Sequence, residues 1–481
     1  MNYKSSSEVS SSSKNSRQHS AFNGVVILTL ALVIVKVLSA IYRVPYQNIL
    51  GDSGLYAYQQ IYPIVALGMI LSMNAIPSAV TQTFGSHSGT EVFSKILLRF
   101  QIIGLIIFSV ILILSHPLAI LMGDTHLTPM LKMASLSYLF IGILGVIRGF
   151  YQSRQQMNIP AISQVIEQCI RVFFIIIAIL MFMFRDWTIY QAGALAILAS
   201  AFGFLGSSLY LLATKPFRLQ LNLSSSFIPW KQLILGTFVF ALSQLLVILW
   251  QFIDSFTVVH MLQTYGLGFK EAIMQKGIYD RGASFIQIGL IVTTTFSFVL
   301  IPLLTDAISD NNLVLMNRYT NASLKITILI SVAAGIGLIN ILPIMNHVFF
   351  KTDQLSFTLS IYMLTVICVS LIMMDIALLQ VINHIRPIFV GVTLGLLFKA
   401  VFNITFIHFM GILGESISTV LSLMIFVTIL HYEVNKYYRF NRMRAFIFKL
   451  ISALIIMSVV IQGLRMLLPP VGRLGGLIEL L

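Results

Sequence analysis

Apolar runs of about 20 residues, the length an α-helix needs to cross the hydrocarbon of a bilayer, recur from near residue 22 almost to the end of the chain. They lie near 22–45, 56–80, 93–115, 130–151, 161–184, 189–213, 232–258, 282–304, 323–345, 357–381, 387–409, 412–434 and 446–468, and so predict thirteen spanning helices. Residues 1–20 are a Ser-rich charged tail with too few apolar side chains to pack, predicted to be a disordered cytoplasmic segment. The run that starts at Ala21 is too long for a signal-peptide core and reads as a retained first span. Residues 469–481 are too short to cross alone, so either the chain stops after thirteen spans or a fourteenth is cut short.

Composition removes the soluble alternatives. Of 481 residues 58% are hydrophobic and 10% charged, whereas a soluble surface needs about a quarter or more of its residues charged. The two cysteines, Cys169 and Cys368, both sit in apolar runs, which excludes a disulfide scaffold. The net charge of +14 would point to nucleic acid in a soluble protein. Here it fits the gathering of Lys and Arg in cytoplasmic loops. With the tail and its Lys4, Lys14 and Arg17 inside, the loops holding Arg154, Lys215, Arg218, Arg318 and Arg386 are inside too, as is the segment with Lys436, Arg439, Arg442 and Arg444. The opposite loops offer little beyond Arg185, Lys270, Lys276 and Lys351. A cytoplasmic N-terminus follows, and no nucleic-acid partner.

A faint internal repeat relates the two halves. Pro77 in IPSAVTQ answers Pro302 in IPLLTDA at an offset of 225, Gln152 answers Gln380 at 228, Pro160 answers Pro387 at 227, and Arg171 answers Lys399 at 228. The predicted fold is an all-α polytopic membrane protein, with two pseudo-symmetric six-helix lobes around a central cavity and further C-terminal helix. The lobes are expected at 21–213 and 232–434, joined by a cytoplasmic linker at 214–231 and followed by 435–481. Repeated lobes rocking about a central site are a common build for alternating-access transporters.

Charges inside spans are costly and commonly functional. Lys36 and Arg43 are seven residues apart in the first span, on one helical face and about 10 Å apart. Arg43 could snorkel to the headgroups; Lys36 is deeper, and the two together favour a wet cavity for an anion. Asp52 in the GDSG turn is placed to pair with Arg43 or a neighbour. Glu167 and Arg171 are an i,i+4 pair that either neutralise each other or leave Arg171 facing the same cavity, with Gln164 on that side. Arg148 reads as a topology anchor at the cytoplasmic edge. In the second half Asp254 closes an apolar run and needs a basic partner or water. Asp280 and Arg281 precede span eight, Asp375 and Lys399 are deep, and Glu415 is ambiguous. The balance leans cationic and suits a cargo carrying phosphates, which guanidinium forks match and lysines attract as point charges.

No catalytic set, cofactor motif or metal spacing presents itself. The chain has no GxxxxGK[ST] loop, no HExxH and no Cys/His grouping, so the reading is not an enzyme and needs no cofactor. Energy is expected from a gradient of a monovalent cation, the membrane potential or mass action.

Several stretches carry a resemblance: YRVPYQNILGDSGLYAYQQIYP (42–63), NAIPSAVTQTFG (74–85), RGFYQSRQQMNIPAISQVIEQCIRVFF (148–174), QFIDSFTV (251–258) and YDRGASFIQIG (279–289). Over about 22–434 the chain resembles the polysaccharide-exporter branch of the multidrug/oligosaccharidyl-lipid/polysaccharide superfamily, near the MurJ-type lipid II flippases and the stage V sporulation protein B group. The resemblance implies two six-helix lobes enclosing a cationic cavity, two C-terminal helices forming a groove for a polyprenyl tail, and a bacterial cell-membrane location. It carries the family's cavity arginines to Arg43, Arg171 and Arg281, and its carboxylates to Asp52, Glu167 and Asp254. Beside these, Lys36 and Lys399 are read as cavity bases, and Asp375 with the three carboxylates as gating or ion-coupling candidates. Val381, Glu415 and the short segment after span thirteen depart from the family pattern. The implied partners are a lipid-linked saccharide precursor such as lipid II, membrane lipids and the cell-wall synthesis machinery. Other readings are an exporter of a different undecaprenyl-linked unit for capsule, teichoic or spore-wall polymer, a cation-coupled drug antiporter, and a non-transporting scaffold.

Overall fold

The computed structural model describes residues 34, 38, 42–84, 89–214, 217, 228–290 and 313–467. Lys36, most of span one, the later part of span eight with Pro302, and 469–481 lie outside them. Among the described residues the structure is helical without strands, and eleven helices are long and apolar enough to cross a membrane. Two compact units divide the chain, residues 1–46 with 61–245 and residues 47–60 with 246–481.

The first helical stretch, α1 (Tyr42–Thr83), is interrupted at Gly51, where φ is +74°. Glycine takes that conformation without a Cβ clash, and the first span gives way to the second there. A single π-turn, Leu71–Ala75, widens the later leg just before Pro77, whose missing N–H breaks the helical ladder. Then follow α2 (Thr90–Ile113), α3 (Thr125–Ser153), α4 (Asn158–Phe184) and α5 (Ile189–Ala213). In α5 a capping box between Thr188 and Gln191 satisfies the first amides. Helices in lipid approach through small residues, and α3 shows it. A Cβ on Gly142 would meet the Gln101 backbone N of α2 at 2.5 Å, and Cβ atoms on Gly145 and Gly149 would meet Ile76 and Val80 of α1 at 2.8 Å.

Helix α6 (Trp230–Tyr265) contributes residues to both units. In the second unit it is followed by α7 (Phe269–Asp280), α8 (Leu313–Phe350), α9 (Ser356–Val381), α10 (Arg386–Met410), α11 (Ile412–Tyr437) and α12 (Met443–Leu467). The outer loop expected between spans seven and eight, with Lys270 and Lys276, is largely helical. Only 266–268 separate α6 from α7, and after a turn at Arg281 helix resumes through residue 290. Lys276, expected in that loop, is therefore in a helix and buried. Its mixed FKEAIMQKGIYD segment is polar enough for a loop on hydropathy, but the i,i+4 pair Lys276–Asp280 takes its charges inward.

Apolar side chains cover the lipid-facing surface, as on α2 (Leu98, Ile102, Ile106, Val110) and α12 (Ile456, Val459, Met466). Polar ones are taken inward. On α12, Ser458 accepts from Asn340 Nδ2 of α8 at 2.9 Å, and Gln462 Nε2 donates to Asn340 Oδ1 at 3.0 Å. Such bonds are attractions that hold helices together where the solvent is itself apolar.

Candidate functional site: a row of arginines and a neutralised charge network

In the first unit the later leg of α1 carries three guanidinium groups in a row. Arg43 lies over Tyr62, its Cζ 5.5 Å from the ring centroid. Arg171 of α4 donates through Nη1 to Met69 Sδ at 2.6 Å. Arg148 of α3 donates through Nη1 to the Ser72 carbonyl, inside the π-turn, at 3.3 Å. Tyr62 and Met69 are two turns apart on one face, about 10 Å along the axis. All three arginines are buried, none more than 4% exposed.

Their partners differ. Arg148 Nη2 sits 2.8 Å from Glu167 Oε2 and donates to Ser207 Oγ at 2.9 Å, while its Nε donates to Ser163 Oγ at 2.9 Å. Arg148 is thus no edge anchor: it is fully buried, because α3 crosses α4 where Ser163 and Glu167 are one turn apart. Glu167, which helical spacing allows to pair with Arg171, turns to Arg148 instead. Arg171 donates through Nη2 to Gln168 Oε1, its Nε has no hydrogen-bond partner, and among the described residues no carboxylate lies within ion-pairing distance of it. Among the described residues the other buried acid of this unit, Asp124, accepts from Tyr190 Oη at 2.7 Å and lies 3.0 Å from His126 Nδ1.

Among the described residues of the second unit every buried base meets an acid. Lys399 Nζ of α10 is 2.7 Å from Asp254 Oδ1 of α6 and donates to Thr419 Oγ1 of α11 at 2.6 Å. Asn403, one turn after Lys399, donates to the same Asp254 oxygen and to Thr257 Oγ1, both at 2.8 Å. Lys276 Nζ bridges Asp280 Oδ1 at 2.6 Å and Glu415 Oε1 at 3.2 Å. Tyr279 stacks on Tyr362 at 4.4 Å, with its hydroxyl 3.3 Å from Thr419 Oγ1, so Thr419 links the two lysine clusters. Arg281 donates to Asp52 Oδ1 through Nε at 3.1 Å and through Nη2, and through Nη1 to Asn346 Oδ1 at 3.3 Å. Asp52 also accepts from Gln47 Nε2 at 2.7 Å, so its cationic partner is Arg281. Asp375 is fully buried, 3.4 Å from His431 Nδ1, and is brought to none of the other candidates.

The sequence reading thus named Asp254 and Lys399 without seeing that they pair. It missed Arg148, Lys276, Asn403 and Thr419 as members of these clusters. A local signal existed only for Lys276, four residues before Asp280. The others are joined by helix packing alone.

The sequence pattern of the family described as "Polysaccharide biosynthesis protein" matches residues 21–308. The chain belongs to the polysaccharide biosynthesis protein family. Among its relatives is an uncharacterized membrane protein of Bacillus subtilis (strain 168), YabM, 29% identical over 96% of this chain and 90% of the relative. Another is the lipid II flippase MurJ of the same organism, 26% identical over 83% of this chain and 79% of MurJ. Among solved structures, a lipid II flippase MurJ in an inward closed conformation superposes with a TM-score of 0.71 over 95% of both chains at 16% identity, which is a likeness of fold. This family member is a multi-pass membrane protein of the flippase class, with the fold of the multidrug/oligosaccharidyl-lipid/polysaccharide superfamily. A flippase moves its lipid between leaflets and leaves it chemically unchanged.

Proposed function

We propose that the chain moves an undecaprenyl-pyrophosphate-linked saccharide, lipid II in the first instance, from the cytoplasmic to the outer leaflet of the bacterial cell membrane by alternating access. The N-terminus is cytoplasmic in this reading. The observation that carries it is Arg171: a buried guanidinium in a spanning helix, with no carboxylate within ion-pairing distance among the described residues, in a row with Arg43. An uncompensated buried charge of that kind is costly, and an anionic cargo relieves the cost. Two guanidiniums along one helix suit a pyrophosphate, whose oxygens accept forked hydrogen bonds. Lys36, seven residues before Arg43 in the sequence, is a further base in this scheme, and the prenyl tail stays in lipid while the headgroup is carried. A cationic drug would need buried acids to spare, and in the first unit both Glu167 and Asp124 are already engaged. The membrane potential favours return of the emptied, positively charged site, each charge moved through 100 mV contributing about 2.3 kcal/mol. Asp52 and Asp254, within the second unit's network, and Asp375, which stands apart from it beside His431, are gating or ion-coupling groups in this scheme.

The test is flipping in proteoliposomes loaded with headgroup-labelled lipid II, read as the fraction of label protected from an impermeant quencher. Wild type should flip the label and Arg171→Gln should fall at least tenfold. Flipping no faster than in empty liposomes excludes lipid II as cargo. Success with another undecaprenyl-pyrophosphate saccharide in the same assay then transfers the assignment to that sugar.

A further inference from the structure

We infer that Arg148 is a positioning residue: by holding Glu167 it leaves the charge of Arg171 available to the cargo's pyrophosphate. This rests on the reading of Arg171 given above. Two arginines compete for one carboxylate. Arg171 is four residues after Glu167 on α4, a spacing at which opposite charges readily pair. Arg148 reaches Glu167 from α3 at 2.8 Å, and Ser163, Ser207 and the Ser72 carbonyl fix its guanidinium so that it can aim nowhere else. Gly203 of α5 packs close against Glu167: a Cβ there would lie 2.6 Å from the Glu167 main-chain carbonyl and 3.3 Å from its Cγ. The second carboxylate oxygen, Oε1, is buried without a hydrogen-bond partner.

Deleting the Arg148 fork leaves Glu167 as an unpaired buried charge, and the remedy one helical turn away is Arg171. Once paired, Arg171 attracts an anion poorly. Loss of Arg148, which touches no cargo, should therefore imitate loss of Arg171. Removing Glu167 in the same chain should undo the damage, a rescue that a merely structural role for Arg148 does not give.

The experiment titrates undecaprenyl pyrophosphate into the purified full chain in lipid nanodiscs and reads Kd. The variants are Arg171→Gln, Arg148→Met, Glu167→Gln and the double Arg148→Met/Glu167→Gln. Expected are losses of tenfold or more for Arg171→Gln and Arg148→Met, and a value within about threefold of wild type for the double variant. No binding by wild type, or full binding by Arg171→Gln, overturns the reading of Arg171 itself. With those two behaving as expected, full binding by Arg148→Met overturns the inference, as does a folded double variant as weak as the single. If Arg148→Met yields no folded protein, Arg148→Lys replaces it, keeping a charge on Glu167 without the fork. Binding within about threefold of wild type supports the inference, and a folded Arg148→Lys as weak as Arg171→Gln overturns it.

Discussion

Lys399→Met isolates one fully buried ion pair of the second unit. Lys399 is fully buried and Asp254 is 2% exposed, so little water reaches either when the other is removed. Breaking a buried pair by deleting one member costs about 3–5 kcal/mol, because the survivor stays charged without its partner. Asp254 keeps the Asn403 donor at 2.8 Å, which places the cost near the lower end, about 3 kcal/mol. For a cooperative unit of this size, about 2–4 °C is lost per kcal/mol, so the midpoint should fall by about 6–12 °C. In Asp254→Asn/Lys399→Met both charges are gone and the shapes are nearly kept, and the cost should shrink to within about 1 kcal/mol. The assay is thermal unfolding of purified protein in detergent, followed by tryptophan fluorescence and by the monodisperse fraction left after heating. A single variant as stable as wild type, or a double variant as unstable as the single, would refute the reasoning.

Tyr138→Phe removes the hydroxyl that donates to the Ile64 carbonyl at 2.6 Å in the first unit; about 1 kcal/mol of stability should go, with flipping retained in the proteoliposome assay. Gly142→Ala puts a methyl group against the Gln101 backbone, which cannot turn aside as a side chain can. Overpacking of that kind costs about 1–3 kcal/mol, and the monodisperse yield should drop. Gly463→Ala is the control, because nothing lies within 4 Å of its Cβ position, and its yield should equal that of wild type.

Hydropathy made the helices legible and left their rotation open. Span thirteen, expected at 446–468, is Met443–Leu467, because length and apolarity suffice to specify a crossing. Segments of mixed character defeated the same reasoning: FKEAIMQKGIYD reads as a loop, yet it is helix because its charges find partners inside. Arg148 reads as an edge residue because RGFYQSR ends an apolar run. Its burial depends on α4 and α5 supplying Ser163, Glu167 and Ser207 from elsewhere in the chain. Lys399 and Asp254 were both noticed as charges needing compensation. That each compensates the other is a fact of packing between α6 and α10, which no short-range spacing encodes.

The central claim is tested most directly in cells. A Gram-positive host conditionally depleted of its lipid II flippase receives this chain as wild type, Arg43→Ala or Arg171→Ala at matched membrane expression, and the fraction of lipid II exposed on the outer surface is measured. Exposure restored by wild type and lost with either alanine is the expected result. Exposure that stays at the depleted level with folded wild-type protein, or that both alanine variants restore in full, contradicts a lipid II flippase working through these two arginines.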